Sequence, residues 1–229
     1  MMPYVITLTG ASQCGKSKIL EILHEIGRKK TYPGFIPVTF KKYTTRDFRD
    51  YEIAAIQEGR SGILDQRPVI CDYNNDDSKD SEALIVAKMR AFQNKQCDLA
   101  YEQFGDRYGL RLADLYEHLK SGETPIVILN DVRTVEDIKT KLGGQCFSVF
   151  IFREKPNLEH FNSEGEKRGE SPEATKIRYR KATAIYRIYI ENIHIFDKLL
   201  LNIEEGTESL EKILSQLVEH LSNPVSIFK

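Results

Sequence analysis

The stretch Tyr4-Val5-Ile6-Thr7-Leu8-Thr9-Gly10-Ala11-Ser12-Gln13-Cys14-Gly15-Lys16-Ser17 decides the reading, with Ile19, Leu20, Ile22, Leu23 and Ile26 behind it. The apolar run predicts a buried strand, and the later spacing predicts a helix. Between them lies G-x-x-x-x-G-K-S, the spacing of a phosphate loop. Glycines let the backbone turn tightly enough to aim several N–H groups at one point. Those groups and the helix N-terminus form an anion site for di- or triphosphate oxygens. Gly10, Ala11, Ser12, Gln13, Cys14, Gly15, Lys16 and Ser17 are therefore the expected nucleotide-binding residues. Lys16 supplies a point charge, and the Ser17 hydroxyl is expected on Mg²⁺. A Gly-rich turn after an edge strand accounts for the glycines but not for Lys16-Ser17 at the helix start.

Composition narrows the rest. A chain of 229 residues is one large α/β domain or one domain with an inserted lobe, and it buries its core without staples. The formal net charge of −1 offers no basic field for nucleic acid. Cys14, Cys71, Cys97 and Cys146 are scattered, so neither a zinc site nor a disulfide framework is expected. Reduced thiols in the cytoplasm are the default. No signal peptide or membrane span is expected from the apolar runs.

Along the chain, Ile36-Pro37-Val38-Thr39-Phe40 reads as a short strand. Lys41 to Arg49 is basic and hydroxyl-rich; Arg46 and Arg49 suit a second phosphate, and a solvated basic loop fits equally well. A strand within Arg67 to Tyr73 is expected, then a helix near Lys79 with an apolar stripe of Ala83, Leu84, Val86, Ala87, Met89 and Phe92. Pro125 to Leu129 reads as a buried strand ending at Asn130-Asp131. Asp131 there serves a metal, caps the next helix, or does both. Val132 to Leu142 is helical, Phe147 to Phe152 a strand, Ile195 to Asn202 a last strand, and Ser209 to Leu221 a closing helix. This alternation predicts a parallel doubly wound sheet flanked by helices. Arg153 to Arg187 is charged and helical: a lid closing arginines over a phosphoryl group, or an exposed helix pair laced with ion pairs.

Taken together, the chain resembles the guanylate kinase family of nucleoside monophosphate kinases. The phosphate loop, Thr44-Thr45-Arg46 with Arg49, Tyr108-Gly109, Asp131, Arg168-Gly169 with Arg178, and Asp197 to Asn202 match that family's motifs in order. Asn130-Asp131-Val132-Arg133 with Glu136 and Gly143-Gly144 is also similar to phage-type deoxynucleoside monophosphate kinases. The resemblance implies a P-loop NTPase fold over residues 1–229. Its core would be 1–40, 109–152 and 194–222, its inserted acceptor-binding lobe about 41–108, and its lid about 153–193.

It also implies an ATP-dependent, Mg²⁺-requiring kinase, monomer or homodimer, acting on a nucleoside monophosphate. Lys16, Arg168 and Arg178 would be catalytic, Arg46, Arg49, Tyr108 and Asp131 substrate-binding, and Ser17 and Asp131 metal-binding. Four positions depart from the family. Lys42 replaces an acceptor-contacting Ser, Leu110 a Thr or Ser, and Glu164 a lid arginine, while Asp98 and Glu102 are out of register with the guanine-reading Glu. The donor side matches and the acceptor side departs, which leaves the base open between GMP and a deoxynucleotide. Another phosphorylated acceptor such as a sugar phosphate, or a non-catalytic guanylate-kinase-like binding module, is the alternative.

Overall fold

A computed structural model describes residues 4–11, 14–47, 57, 69–70, 81–103, 105–153, 157–167, 171–202 and 207–222. The chain divides into two units, Met1–Thr39 with His118–Lys229, and Phe40–Glu117. The first opens with β1 (Val5–Thr9), α1 (Lys16–Arg28) and β2 (Pro37–Thr39). The second holds β3 (Tyr43–Thr44), β4 (Val69–Ile70), α2 (Ser81–Gln93), β5 (Leu99–Gln103) and β6 (Asp106–Leu110). Helix α3 (Leu112–Lys120) leads back to the first unit. There follow β7 (Thr124–Leu129), α4 (Val132–Leu142), β8 (Cys146–Phe152), α5 (Leu158–Lys167), α6 (Pro172–Glu191), β9 (Lys198–Leu201) and α7 (Thr207–Ser222).

In the first unit five strands run parallel in the order β2-β7-β1-β8-β9. Every residue of central β1 is buried, as expected of a parallel sheet covered on both faces. Strand alternation divides the core. Val149 and Ile151 of β8 join Ile19, Leu23 and Ile26 of α1 and Leu214 and Val218 of α7 in one cluster. Phe150 faces the other way, onto Val132 of α4 and Tyr189 of α6. The sheet is thus wound on both sides, the architecture of the P-loop NTPase fold.

The second unit has its own sheet, β4-β3-β6-β5. Its helix α2 departs from the expected stripe: Phe92 is 5 % exposed but Val86 is 56 % exposed. Lys88 lies on the inward side, its ammonium 2.6 Å from both carboxylate oxygens of Asp47. Val86, two positions or about 200° away, points out.

The edge strand β9 is held by a polar knot. Asp197 accepts from the Ser148 N–H (2.7 Å) and hydroxyl (2.8 Å) and from Lys139 Nζ (2.7 Å). Burial pushes the Asp197 carboxyl up, but the Lys139 and Ser148 bonds outweigh it and hold it below its ordinary value. The same burial, with the Asp197 charge nearby, raises the Cys146 thiol to about 12.

A carboxyl depressed in the fold stabilises it above the unfolded value of about 3.9 and loses that contribution as the pH falls through the folded value. Asp197→Asn is therefore expected to lower the melting temperature by about 4–10 °C at pH 7, from ~1.5–3 kcal/mol of charged hydrogen bonding. Thermal unfolding followed by circular dichroism between pH 7 and 2.5 checks it; the gap from wild type should narrow as Asp197 protonates.

Candidate functional site

Strand β1 ends at Thr9, and the next residues turn back toward α1. The Cys14 N–H donates to the Ala11 carbonyl at 3.3 Å, and Gly15 takes φ 92°, ψ 16°. A side chain at Gly15 would be strained by that left-handed backbone, and its Cβ would lie 2.2 Å from the Asn202 amide nitrogen. Asn202, one residue past β9, donates that amide to the Cys14 carbonyl at 2.8 Å. Its own N–H donates to the Phe152 carbonyl at 2.9 Å, so the clamp is anchored on the sheet.

Helix α1 begins without a side-chain cap and without an acid in its first turn. By contrast Asp131 caps α4 and Ser171 caps α6. The first N–H groups of α1 and its positive end thus carry no side-chain cap, an arrangement that suits an anion. Lys16 folds onto the loop, its ammonium 2.8 Å from the Gly10 and Ala11 carbonyls and 3.7 Å from Cys14 Sγ. Ser17, the next residue of α1, is exposed. Ser12 and Gln13 lie outside the described residues.

Asp131 follows β7, whose Leu129 pairs with Thr9 of β1. Its Oδ2 accepts from the Thr134 N–H (2.8 Å) and hydroxyl (2.6 Å), so capping is real. Both bonds fall on one oxygen, which leaves Oδ1 for another partner. A serine hydroxyl and a carboxylate oxygen are the hard donors Mg²⁺ takes alongside phosphates and water, so this pair fits that ion. Among the described residues no cluster of three or more His, Cys, Asp or Glu is gathered for a metal. Three nearby oxygens, Thr7 Oγ1, Thr9 Oγ1 and Asn130 Oδ1, are buried without a partner among the described residues.

Tyr189 of α6 is 1 % exposed and donates its hydroxyl to the Asn130 carbonyl at 2.7 Å. Burial, with Cys14 and Asp131 adding to it, raises the phenol and keeps that donor protonated. Helices α5 and α6 meet through Phe161 and Tyr179, edge to face with centroids 5.7 Å apart. Arg178 is half-buried on α6, while Arg168 lies outside the described residues. The ion-pair reading of this region holds for Lys167–Glu164 and Arg187–Glu191, both at 2.7 Å.

In the second unit Arg46 is 7 % exposed. Its N–H donates to the Thr44 hydroxyl at 3.1 Å and its guanidinium to the Asp47 carbonyl at 2.8 Å. Tyr108 stacks on Tyr101 across the β5–β6 hairpin, with centroids 5.4 Å apart. Arg49 lies outside the described residues. The two acids near the expected base reader have other settings: Asp98 accepts from the Leu112 N–H at 2.7 Å, and Glu102 pairs with Arg107 in the hairpin. Leu110, fully buried, is opposite Leu99.

Sequence reasoning found Asn202 only as a strand end and missed its hold on the loop. It missed Tyr101 and Lys88 outright. No local pattern announces them, since each acts through a partner at least 40 positions away.

No family model matches the chain, and no curated protein matches it. Solved structures do. The guanylate kinase from Anaplasma phagocytophilum is similar with a TM-score of 0.53 at 16 % identity, over 96 % of this chain and 87 % of that one. The dephospho-CoA kinase from Campylobacter jejuni is similar with a TM-score of 0.43 at 12 % identity, over 97 % and 100 %. The first likeness fixes the fold; the second adds nothing to it. Among the described residues no helix is long and apolar enough to cross a membrane.

The Gly15 geometry yields a direct test. Gly15→Ala adds about 1–2 kcal/mol of left-handed strain and pushes on Asn202. ATP affinity should fall at least tenfold by titration calorimetry, with a melting temperature lower by a few degrees.

Proposed function

We propose that the chain is an ATP-dependent phosphotransferase that phosphorylates a nucleoside monophosphate or a close structural equivalent. The observation that carries this reading is the uncapped, acid-free start of α1 behind a left-handed Gly15, with Lys16 among the loop carbonyls. A loop kept this intact suits a nucleotide that is turned over better than a binding module without chemistry.

The roles follow from charge and position. Residues Gly10 to Ser17 and Lys16 hold the donor phosphates. Ser17 and Asp131 would hold Mg²⁺, which supplies neutralisation of the donor's phosphate charge when bound. In the second unit, Arg46 with Arg49 takes the acceptor phosphate in a bidentate grip, with Tyr108 beside it. Arg168 and Arg178 stabilise charge on the transferring group. An acceptor phosphate oxygen forms the new bond to the terminal phosphorus of ATP as the bond to ADP breaks. That oxygen is already an anion, so the chain needs positioning and positive charge rather than a general base. With Oδ2 spent on the Thr134 cap, Oδ1 is the oxygen of Asp131 left for either the ion or the substrate.

Two variants test the assignment in an ADP-release assay with ATP, Mg²⁺ and a panel of nucleoside monophosphates. Lys16→Ala should lower acceptor-dependent ADP release at least a hundredfold, far beyond the few degrees of melting temperature that losing its bonds to the Gly10 and Ala11 carbonyls costs. Undiminished turnover would remove the loop from the mechanism. Arg46→Ala should raise the acceptor KM at least tenfold and leave the ATP KM within twofold; equal effects on both would move Arg46 off the acceptor.

A further inference from the structure

Strand β9 is Lys198-Leu199-Leu200-Leu201, at the edge of the five-stranded sheet and paired with β8. Leu200 is 2 % exposed and joins the core cluster with α1 and α7, whereas Leu199 and Leu201 are 43 % and 50 % exposed. The register of a strand is ordinarily set by which side chains the buried face accepts, since a slip of one residue exchanges the two faces. In β9 that rule has no grip. A slip of one residue toward either neighbour still delivers a leucine to the place of Leu200, so the core does not mark the error.

Polar groups at the two ends of the strand mark it instead. At the start, Asp197 and Ser148 of β8 bond in both directions. The Asp197 N–H donates to the Ser148 carbonyl at 3.0 Å, and its carboxylate accepts from the Ser148 N–H at 2.7 Å and hydroxyl at 2.8 Å. Lys139, in the last turn of α4, donates to Asp197 Oδ1 and to the Ile195 carbonyl, both at 2.7 Å. Bonds to an ionised group are about twice as strong as neutral ones. The residues on either side of Asp197 are Phe196 and Lys198, so a slipped strand offers Ser148 and Lys139 no carboxylate. At the other end, the Asn202 N–H donates to the Phe152 carbonyl at 2.9 Å and its side-chain amide to the Cys14 carbonyl at 2.8 Å.

One residue of strand is about 3.3 Å, more than the tolerance of any hydrogen bond. A slip therefore takes Asn202 off the Cys14 carbonyl and out from beside Gly15, the two places where it shapes the phosphate loop. We infer that Asp197 is a positioning residue for the donor nucleotide: from the far end of β9 it fixes the register that seats Asn202 against the loop. The inference rests on the donor-site reading of the loop for what is bound there, and on the β8–β9 contacts for the route. Asp197 and Asn202 are five positions apart, about 16 Å of extended chain, so Asp197 acts through the strand.

Calorimetric titration with ATP and Mg²⁺ reads the effect without needing turnover, at a temperature well below the unfolding of every variant. Asn202→Ala should raise the ATP Kd at least tenfold. Asp197→Ala, and Lys139→Met as the milder change, should each raise it at least threefold. Added to Asn202→Ala, either one should move the Kd by less than twofold, because the contact it positions is already gone. Should Asp197→Ala fail to fold, Lys139→Met runs the same cycle. Val218→Ala cuts a cavity in the same unit, and at a comparable loss of melting temperature it should leave the Kd within twofold.

Less than a threefold change in the folded Asp197 and Lys139 variants would overturn the inference. So would equal weakening with and without the Asn202 amide, or weakening of the same size in Val218→Ala, which would leave Asp197 with a role in general stability alone. ATP binding that follows the cycle, in a protein that releases no ADP with any acceptor, would support the inference while refuting the kinase reading. Failure of the wild type to bind ATP would refute both.

Discussion

The bond from the Asn202 amide to the Cys14 carbonyl joins positions 188 residues apart, and the phosphate loop takes its shape around it. A loop proposed to take phosphates has to leave its N–H groups unspent on the side where they would come. Its carbonyls must then be satisfied on the other side, from outside the loop, or they cost their desolvation. Asn202 does this for Cys14, and the Lys16 ammonium does it for Gly10 and Ala11. Gly15 is the residue that makes the arrangement sterically possible, because nothing larger fits beneath the amide. The parallel sheet serves the same end. Pairing β9 beside β8 delivers Asn202 to the edge of the loop, and the Asp197–Ser148–Lys139 knot holds β9 in that register.

Much of this was legible in the sequence. The strand, loop and helix from Tyr4 to Ile26 announce themselves by spacing alone, and Val132–Leu142 is a helix with the expected limits. The alternation of strands and helices led directly to the doubly wound sheet. What stayed hidden depends on contacts between distant segments. The apolar residues of α2 have helical spacing, yet Val86 is exposed while Lys88 lies inward against Asp47. Asp131 illustrates a subtler case, since its sequence position allowed a cap or a metal ligand and its geometry accommodates both, one oxygen for each.

The second unit was the least legible part because its neighbours are set by a sheet face. Lys42, Tyr101 and Tyr108 are as much as 66 positions apart in sequence and become neighbours only through the register of β3, β6 and β5. Motif matching sees Lys42 as a departure from a serine. The register shows what the departure is next to, the stacked pair of Tyr101 and Tyr108.

Tyr189 has a mechanical consequence. Its hydroxyl is fixed to the Asn130 carbonyl beside Asp131, and its ring is sealed against Phe150. The far end of α6 is therefore a pivot set in the sheet, and the twenty residues of the helix are a rigid arm. Arg178 stands eleven residues out along it, about 16 Å at 1.5 Å per residue. Tilting the arm by roughly 10° about the pivot carries Arg178 through about 3 Å, one hydrogen-bond length. Phe161 packs edge to face on Tyr179, so α5 is fastened to the same arm. At that length a tilt this small equals the difference between a charged contact made and one broken.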